Sequence, residues 1–496
     1  MSPLFQVLLL LASLFEVTIS AGIRRDVTIC QQIEFQLPGR VSYPGNTGYE
    51  ETLSSYYSGQ ERDLQPACVF RPTATHDVSY FVKTITTSGG GKPSSQFAIR
   101  GGGHTLFRGA ANINGGITVD MRSMNSLTLN KDQTVASVGG GGIWSDLYPQ
   151  LVPHNLTVVG GRFPGIALGG FLTGGGINFL SRRVGFGCDN VNGYEVVLAN
   201  GDIVYATASS HRDLWLALKG GSNNFGIITR FDLATYQQGD MWGGVILFGY
   251  TPSVLDTHAN FFSSFMDAKN FDDAANMATF LTYQNGSFGV ADSLFYVEPV
   301  ADPPVYQPLV SQPSSLSNNL KIDNVANIVA GFAEAIPPSL ARGTEIAYTF
   351  QNADAATYLQ LMKTWEEGIK SLNGTQGLLS QFLIQPQPVT NGTNSLGLTP
   401  GERDSVFGLV TVGYDNSADD SIVQSAVQAI VNKHIQILRK KNLYNPFQYL
   451  NYADISQDPF TSYGKQNKAR LQAASLKYDP SGVFQKRVPG GFKLFR

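Results

Sequence analysis

Glycine is crowded into short clusters in the first half of this chain, and that crowding limits the fold more than any other feature. The clusters are Gly89–Gly91, Gly101–Gly103, Gly139–Gly142, Gly160–Gly161, Gly169–Gly170, Gly174–Gly176 and Gly220–Gly221. Glycine weakens helix and strand interiors but reaches positive φ at no steric cost, so such clusters mark strand ends and tight loops. Between them lie β-rich runs at Gln96–Arg100, Gly116–Asp120 and Leu156–Gly160. Tyr194–Leu198 and Asp202–Tyr205 bracket Asn200-Gly201, which predicts a hairpin. In Ala98-Ile-Arg-Gly-Gly-Gly-His104 a strand runs directly into three glycines. Several backbone N–H groups can then converge on one oxyanion, pyrophosphate being the natural occupant. The dinucleotide spacing GxGxxG followed by a helix is not met here, which argues against a Rossmann turn.

Helical patterns at Ile143–Leu151 and His211–Leu218 interrupt the β-rich runs, giving an α+β arrangement. After about residue 238 glycine thins out, Asp302-Pro-Pro and Ile336-Pro-Pro mark loops, and amphipathic helices are predicted over Ala355–Leu372 and Ser421–Lys441. The last stretch turns aromatic and polar around Tyr444–Tyr452, then predicts a helix over Tyr463–Leu476. The expected organisation is residues 21–238 as a nucleotide-holding lobe, 239–447 as a substrate-covering lobe, and 448–496 returning to the first.

Leu4–Ile19 is apolar, broken only by Gln6 and Glu16, and small residues follow at Ser20, Ala21 and Gly22. Residues 1–20 therefore read as a signal peptide, and the protein as secreted. Four sequons agree, at Asn155, Asn285, Asn373 and Asn391. An oxidising compartment permits one disulfide, for which Cys30 and Cys68 are the better pair, leaving Cys188 as a buried apolar thiol. The net charge of -3 and the lack of like-charge runs exclude a bulk electrostatic partner such as nucleic acid. No other segment is apolar enough to cross a bilayer, and no CxxC, HExxH or clustered histidine points to a metal.

The glycine motifs fall in a recognisable order. Arg100-Gly-Gly-Gly-His104 and Gly139-Gly-Gly-Gly-Ile-Trp144 precede the run from Val158 to Gly176. Ser181–Asn190 and Gly220–Thr229 follow. Together they resemble the PCMH-type FAD-binding fold of the vanillyl-alcohol oxidase superfamily. Tyr449-Leu-Asn-Tyr-Ala-Asp454 and Lys477-Tyr-Asp-Pro480 are similar to its berberine bridge enzyme-like branch, in its fungal secreted form. The resemblance implies a two-lobed FAD-binding domain, a substrate domain with an antiparallel sheet covered by helices, and the C-terminal return. It implies that His104 bonds to the flavin 8α-methyl carbon, and that Arg100, Gly101, Gly102 and Gly103 cradle the pyrophosphate. Gly160, Gly161, Gly170, Gly174 and Gly175 would pass beneath the flavin, with Asp189, Asn190 and Gly226 along the adenosine. Relatives with a second attachment carry Gly-x-Cys-Pro; Gly161-Arg-Phe-Pro164 puts Phe163 there, so a single histidyl link is expected. Ile166 falls where relatives control dioxygen access.

For the reaction, the same resemblance makes Tyr452 the expected base, with Tyr449 as substrate contact or alternative base and Asn451 bonded near the flavin. A phenol can act so only if a cation or the flavin stabilises its phenolate. Gln381 and Gln385 lie four apart in a strand pattern, on one face, and are candidate substrate contacts. The alternative for both tyrosines is packing between the lobes, and for His104 a local hydrogen bond. The expected function is FAD-dependent oxidation of a small, partly apolar metabolite, with dioxygen as electron acceptor, by a monomer. A carbohydrate oxidase of the same branch, or a flavin-retaining scaffold without turnover, are the other readings.

Overall fold

A computed structural model describes residues 28–87, 95–332 and 337–495. The expected signal peptide and Gly89–Gly91 lie outside the described residues. The β-rich runs between the glycine clusters build two sheets of the first lobe. One has four strands in the order Val41–Ser42, Cys68–Phe70, Ile117–Asp120, Phe97–Arg100, the last three parallel. The helix Thr75–Thr87 covers it by burying Val78, Phe81, Val82 and Ile85 at helical spacing, with Phe81 against both Phe70 and Phe97. A disulfide between Cys30 and Cys68 ties the helix Ile29–Gln36 to this sheet. Cys188 is free and buried.

The second sheet orders Leu127–Leu129, Val135–Gly139, Ile227–Gln237, Val191–Val197 and Ile203–Thr207, with Leu156–Val158 on the far end of Ile227–Gln237. Asn200-Gly201 turns the hairpin, and Gly201 takes the positive φ of +81° that the turn needs.

The remaining strands form one nine-stranded sheet, with antiparallel pairing throughout. Alternation sorts its side chains. Phe382, Ile384, Val406, Val410, Ile346 and Phe350 point to a face covered by the helices Pro252–Phe265, Ala355–Lys370 and Asp420–Lys440. The middle helix begins where Asp354 accepts from the Thr357 N–H and buries Tyr358, Leu361, Met362, Trp365 and Ile369 in one stripe. Gln381, Leu383, Gln385, Phe407, Leu409, Thr411, Glu345 and Ala347 alternate onto the other face, toward the first lobe. The C-terminal helix Lys465–Tyr478 packs on Arg212–Leu218 of the first lobe, and the Phe97 N–H donates to the Arg487 carbonyl at 2.7 Å.

Glu61 shows what this packing costs. It is 0% exposed and accepts the Ala110 and Ala111 N–H groups at 2.6 and 3.2 Å, while its Oε2 has no partner. Burial pushes its carboxyl up to about 7. The folded chain therefore holds this proton more tightly than the unfolded chain, whose Glu titrates near ~4.3. The stability from protonated Glu61 is full below that value and is lost as pH rises through about 7. The loss is on the order of 3 kcal/mol. Denaturant midpoints at pH 5 and pH 8 should fall further apart for the wild type than for Glu61→Gln. Equal spacing in the two proteins would exclude Glu61 as the source.

Candidate active site

The strand Phe97–Arg100 delivers the chain into Gly101–Gly103 at the edge of the first lobe. Gly103 has φ +73°, and a Cβ there would lie 2.5 Å from the Tyr56 ring, so only glycine fits. Arg100 differs from expectation. Its guanidinium turns inward over the Tyr56 ring and bonds Thr52 and Ser55, so it braces the loop from behind and offers no side chain to an anion. The backbone carries what remains of the cradle. The Gly102 and Gly103 N–H groups have no acceptor among the described residues. A Cβ on Gly102 would close onto Gly165 and Ala167, whereas Gly165 and Gly170 open onto free space. Two glycine loops thus meet edge to edge with unpaired donors, which fits a pyrophosphate.

His104 follows at the margin of these loops, its ring stacked on Tyr57 with centroids 4.0 Å apart. Burial pushes the imidazole down to about 4. It is neutral at physiological pH, with a ring-nitrogen lone pair free to bond carbon.

Several predicted contacts serve the protein itself. A Cβ on Gly160 or Gly161 would strike Trp144, and one on Gly226 would strike Val196, so packing requires these glycines. Gly174 has room only for Asn451, which donates to the Phe171 carbonyl at 2.9 Å and to the Tyr449 hydroxyl at 3.1 Å. Gly175, at φ +131°, lies against the Tyr449 ring. Asp189 and Asn190 are buried and bond within the protein. Asp189 binds Thr390 and Asn394, clamping that loop of the nine-stranded lobe, while Asn190 bonds Val184, Phe186 and Tyr236. Phe163 packs on Phe332, and the half-buried Ile166 sits beside Ala167 against the first-lobe core.

The tyrosine pair separates. Tyr449 is 2% exposed, stacks on Phe407, and accepts hydrogen bonds from the Gly176 N–H at 2.8 Å and from Asn451. Burial raises its phenol, and its contacts anchor the two lobes to each other. Tyr452 meets it edge-on at 4.9 Å but is only half-buried and lies on the inner face of the nine-stranded sheet. Its hydroxyl accepts from Gln385 Nε2 at 3.0 Å, and Gln385 Oε1 accepts from Arg162 at 2.7 Å.

Cross-strand register lays two rows beside this pair. Phe280, Leu383, Leu409 and Ala347 form an apolar row. Thr282, Gln381, Thr411 and Glu345 form a polar row, all half-buried. Glu345 has no hydrogen-bond or ion-pair partner among the described residues. Burial, then the Asp454 charge, pushes its carboxyl up to about 8, so it is a neutral donor at physiological pH. Its charge adds to the burial that pushes the Tyr57 phenol up to about 12. Arg162, Glu345 and Tyr57 escaped the sequence reading. Arg162 lies within Gly161-Arg-Phe-Pro164, where a charge in a glycine-rich apolar run is the signal. Glu345 is the acid at an inward step of the alternating strand Arg342–Gln351.

Glycine loops with unpaired backbone donors and a buried histidine beside them suit a flavin dinucleotide. Comparison agrees: residues 66–207 match the FAD binding domain model. FAD-dependent monooxygenase tpcD of Cochliobolus heterostrophus is 34% identical over 472 residues, covering 91% of this chain and 89% of that one. Among solved structures, Physcomitrella patens BBE-like 1 superposes with a TM-score of 0.76 at 21% identity, over 94% of this chain and 99% of that one. Glucooligosaccharide oxidase from Acremonium strictum, described as holding a 6-S-cysteinyl, 8α-N1-histidyl FAD, gives 0.69 at 17%, over 89% and 95%. The chain belongs to the same family of FAD-dependent oxidoreductases as the Cochliobolus heterostrophus relative, and it has the fold of the berberine bridge enzyme-like oxidases; its substrate is a small molecule. No helix among the described residues is long and apolar enough to cross a membrane.

Proposed function

We propose that this enzyme performs a two-electron oxidation of a small, partly apolar organic molecule in secondary metabolism, with FAD bonded covalently to His104 alone. The observation that carries this reading is the half-buried Tyr452, set against paired polar and apolar rows on one sheet face. When bound, FAD supplies a two-electron acceptor for a hydride from the substrate, and dioxygen is the proposed terminal acceptor. Tyr452 takes the proton that leaves the substrate hydroxyl, or other acidic group, as the carbon is oxidised. Leu383 and Leu409 hold the apolar edge of the substrate and exclude water beside the reacting carbon. Gln381, Thr411 and protonated Glu345 orient its oxygens. Gly102, Gly103, Gly165 and Gly170 hold the cofactor phosphates through backbone, and Phe163 can supply no thioether. Secretion and glycosylation belong to the same proposal; Asn155, Asn285, Asn373 and Asn391 are all exposed. The enzyme is proposed to act as a monomer.

The polar row also supports a second reading, oxidation of an oligosaccharide. Anaerobic mixing with two panels tests both, one of hydroxylated aromatic and polyketide-like compounds, the other of cello- and xylo-oligosaccharides. Bleaching of the flavin near 450 nm by the first panel alone is expected. Bleaching by sugars alone would transfer the assignment to the carbohydrate reading. A flavin that stays yellow with every compound would instead favour a scaffold without turnover.

A further inference from the structure

The connection between Arg162, Gln385 and Tyr452 can be oriented from chemistry alone. A guanidinium has only donors, so the Gln385 atom 2.7 Å from Arg162 must be the carbonyl oxygen. The other end of the amide is then its NH2 group, which donates to the Tyr452 oxygen at 3.0 Å. That oxygen is an acceptor in this bond, and any proton it carries points elsewhere. Arg162 is 6% exposed and Gln385 is 0% exposed. Among the described residues no carboxylate lies within ion-pair distance of Arg162. A buried cation without a counter-charge is costly, and an anion at the far end of a polarised amide lowers that cost.

We infer that Arg162 is a positioning residue that polarises the Gln385 amide and so holds the Tyr452 oxygen as a proton acceptor. The inference rests on the reading of Tyr452 as the base and supplies the cation such a phenolate requires. Other groups facing Tyr452 do not compete for this role. On the four strands that pack against it, Glu345 is the titratable side chain of the inner face among the described residues, the others there being apolar or uncharged polar groups such as Thr282, Gln381, Gln385 and Thr411. Glu345 is an acid and disfavours a neighbouring anion. On its own segment, Tyr449 is held by Gly176 and Asn451, and Asp454 is occupied by Gln424 and the Ser456 N–H.

The test needs no substrate. Phenolate absorbance near 295 nm is titrated in the full-length flavoprotein, and the Tyr452 wave is assigned by subtracting the Tyr452→Phe trace. In Arg162→Met that wave should rise about one pH unit or more toward alkaline, as expected for loss of a nearby cation. Arg162→Lys should restore part of the shift. Gln385→Glu, which keeps the shape and gives Arg162 its own anion, should shift the wave in the same direction and serves if Arg162→Met fails to fold. A wave at the same pH in wild type, Arg162→Met and Gln385→Glu would overturn the relay. Bleaching kinetics separate this from the base assignment. A shifted wave supports the relay even if Tyr452→Phe bleaches at the wild-type rate, a result that would count against Tyr452 as base alone.

Discussion

Replacing His104 with alanine is expected to release the flavin from the polypeptide on acid precipitation, leaving a colourless pellet where the wild type stays yellow. The imidazole is neutral because burial holds it near pKa 4, so its lone pair is available at any physiological pH. It is also fixed in plane by Tyr57 at 4.0 Å. The substitution loses this stacking, worth about 1 kcal/mol, and no side-chain hydrogen bond to another described residue, so folding should survive. Flavin can still be held by the Gly102 and Gly103 loop, which predicts a yellow native variant whose colour moves to the supernatant. A pellet still yellow in His104→Ala, with the colour on another peptide, would refute the attachment. Phe163 makes the expected loss complete, since it offers no sulfur for a second bond.

Tyr452→Phe should slow substrate-driven bleaching by about 10²- to 10⁴-fold, the usual contribution of a general base. Flavin content should not change, because among the described residues the hydroxyl bonds only Gln385. Tyr449→Phe is the contrasting variant. It strips the acceptor from the buried Gly176 N–H and from Asn451, at about 1–3 kcal/mol of stability, yet leaves the phenol of Tyr452 in place. Stopped-flow bleaching together with melting temperature separates the two. A slow Tyr449→Phe at unchanged stability, beside a fast Tyr452→Phe, would exchange their roles.

Much of the local structure was legible because glycine and alternation act over a few residues. Asn200-Gly201 marked its hairpin, the strand into Gly101–Gly103 marked a glycine loop, and the stripes at Ala355–Lys370 and Asp420–Lys440 marked their helices. The spacing of Gln381 and Gln385 put both on one face, as the register has them. The glycines were harder to sort by role. Gly102 and Gly170 border the cradle while Gly160, Gly161 and Gly226 make way for Trp144 and Val196, yet all read alike as letters. Asp189 and Asn190 misled for the same reason, since their partners at Thr390, Asn394 and Tyr236 are remote in sequence.

What the chain determined by itself is therefore the class of fold and the cofactor it suits, both written in short-range patterns of glycine and β-branched residues. Only the tertiary structure decided which tyrosine is free, because Tyr449 and Tyr452 differ in burial and not in kind. It alone brought Arg162 to Gln385 across 223 residues and put Glu345 on the inner face. Hydrogen bonds and desolvation depend on which groups finally lie within a few ångströms of each other, and sequence separation carries no record of that distance.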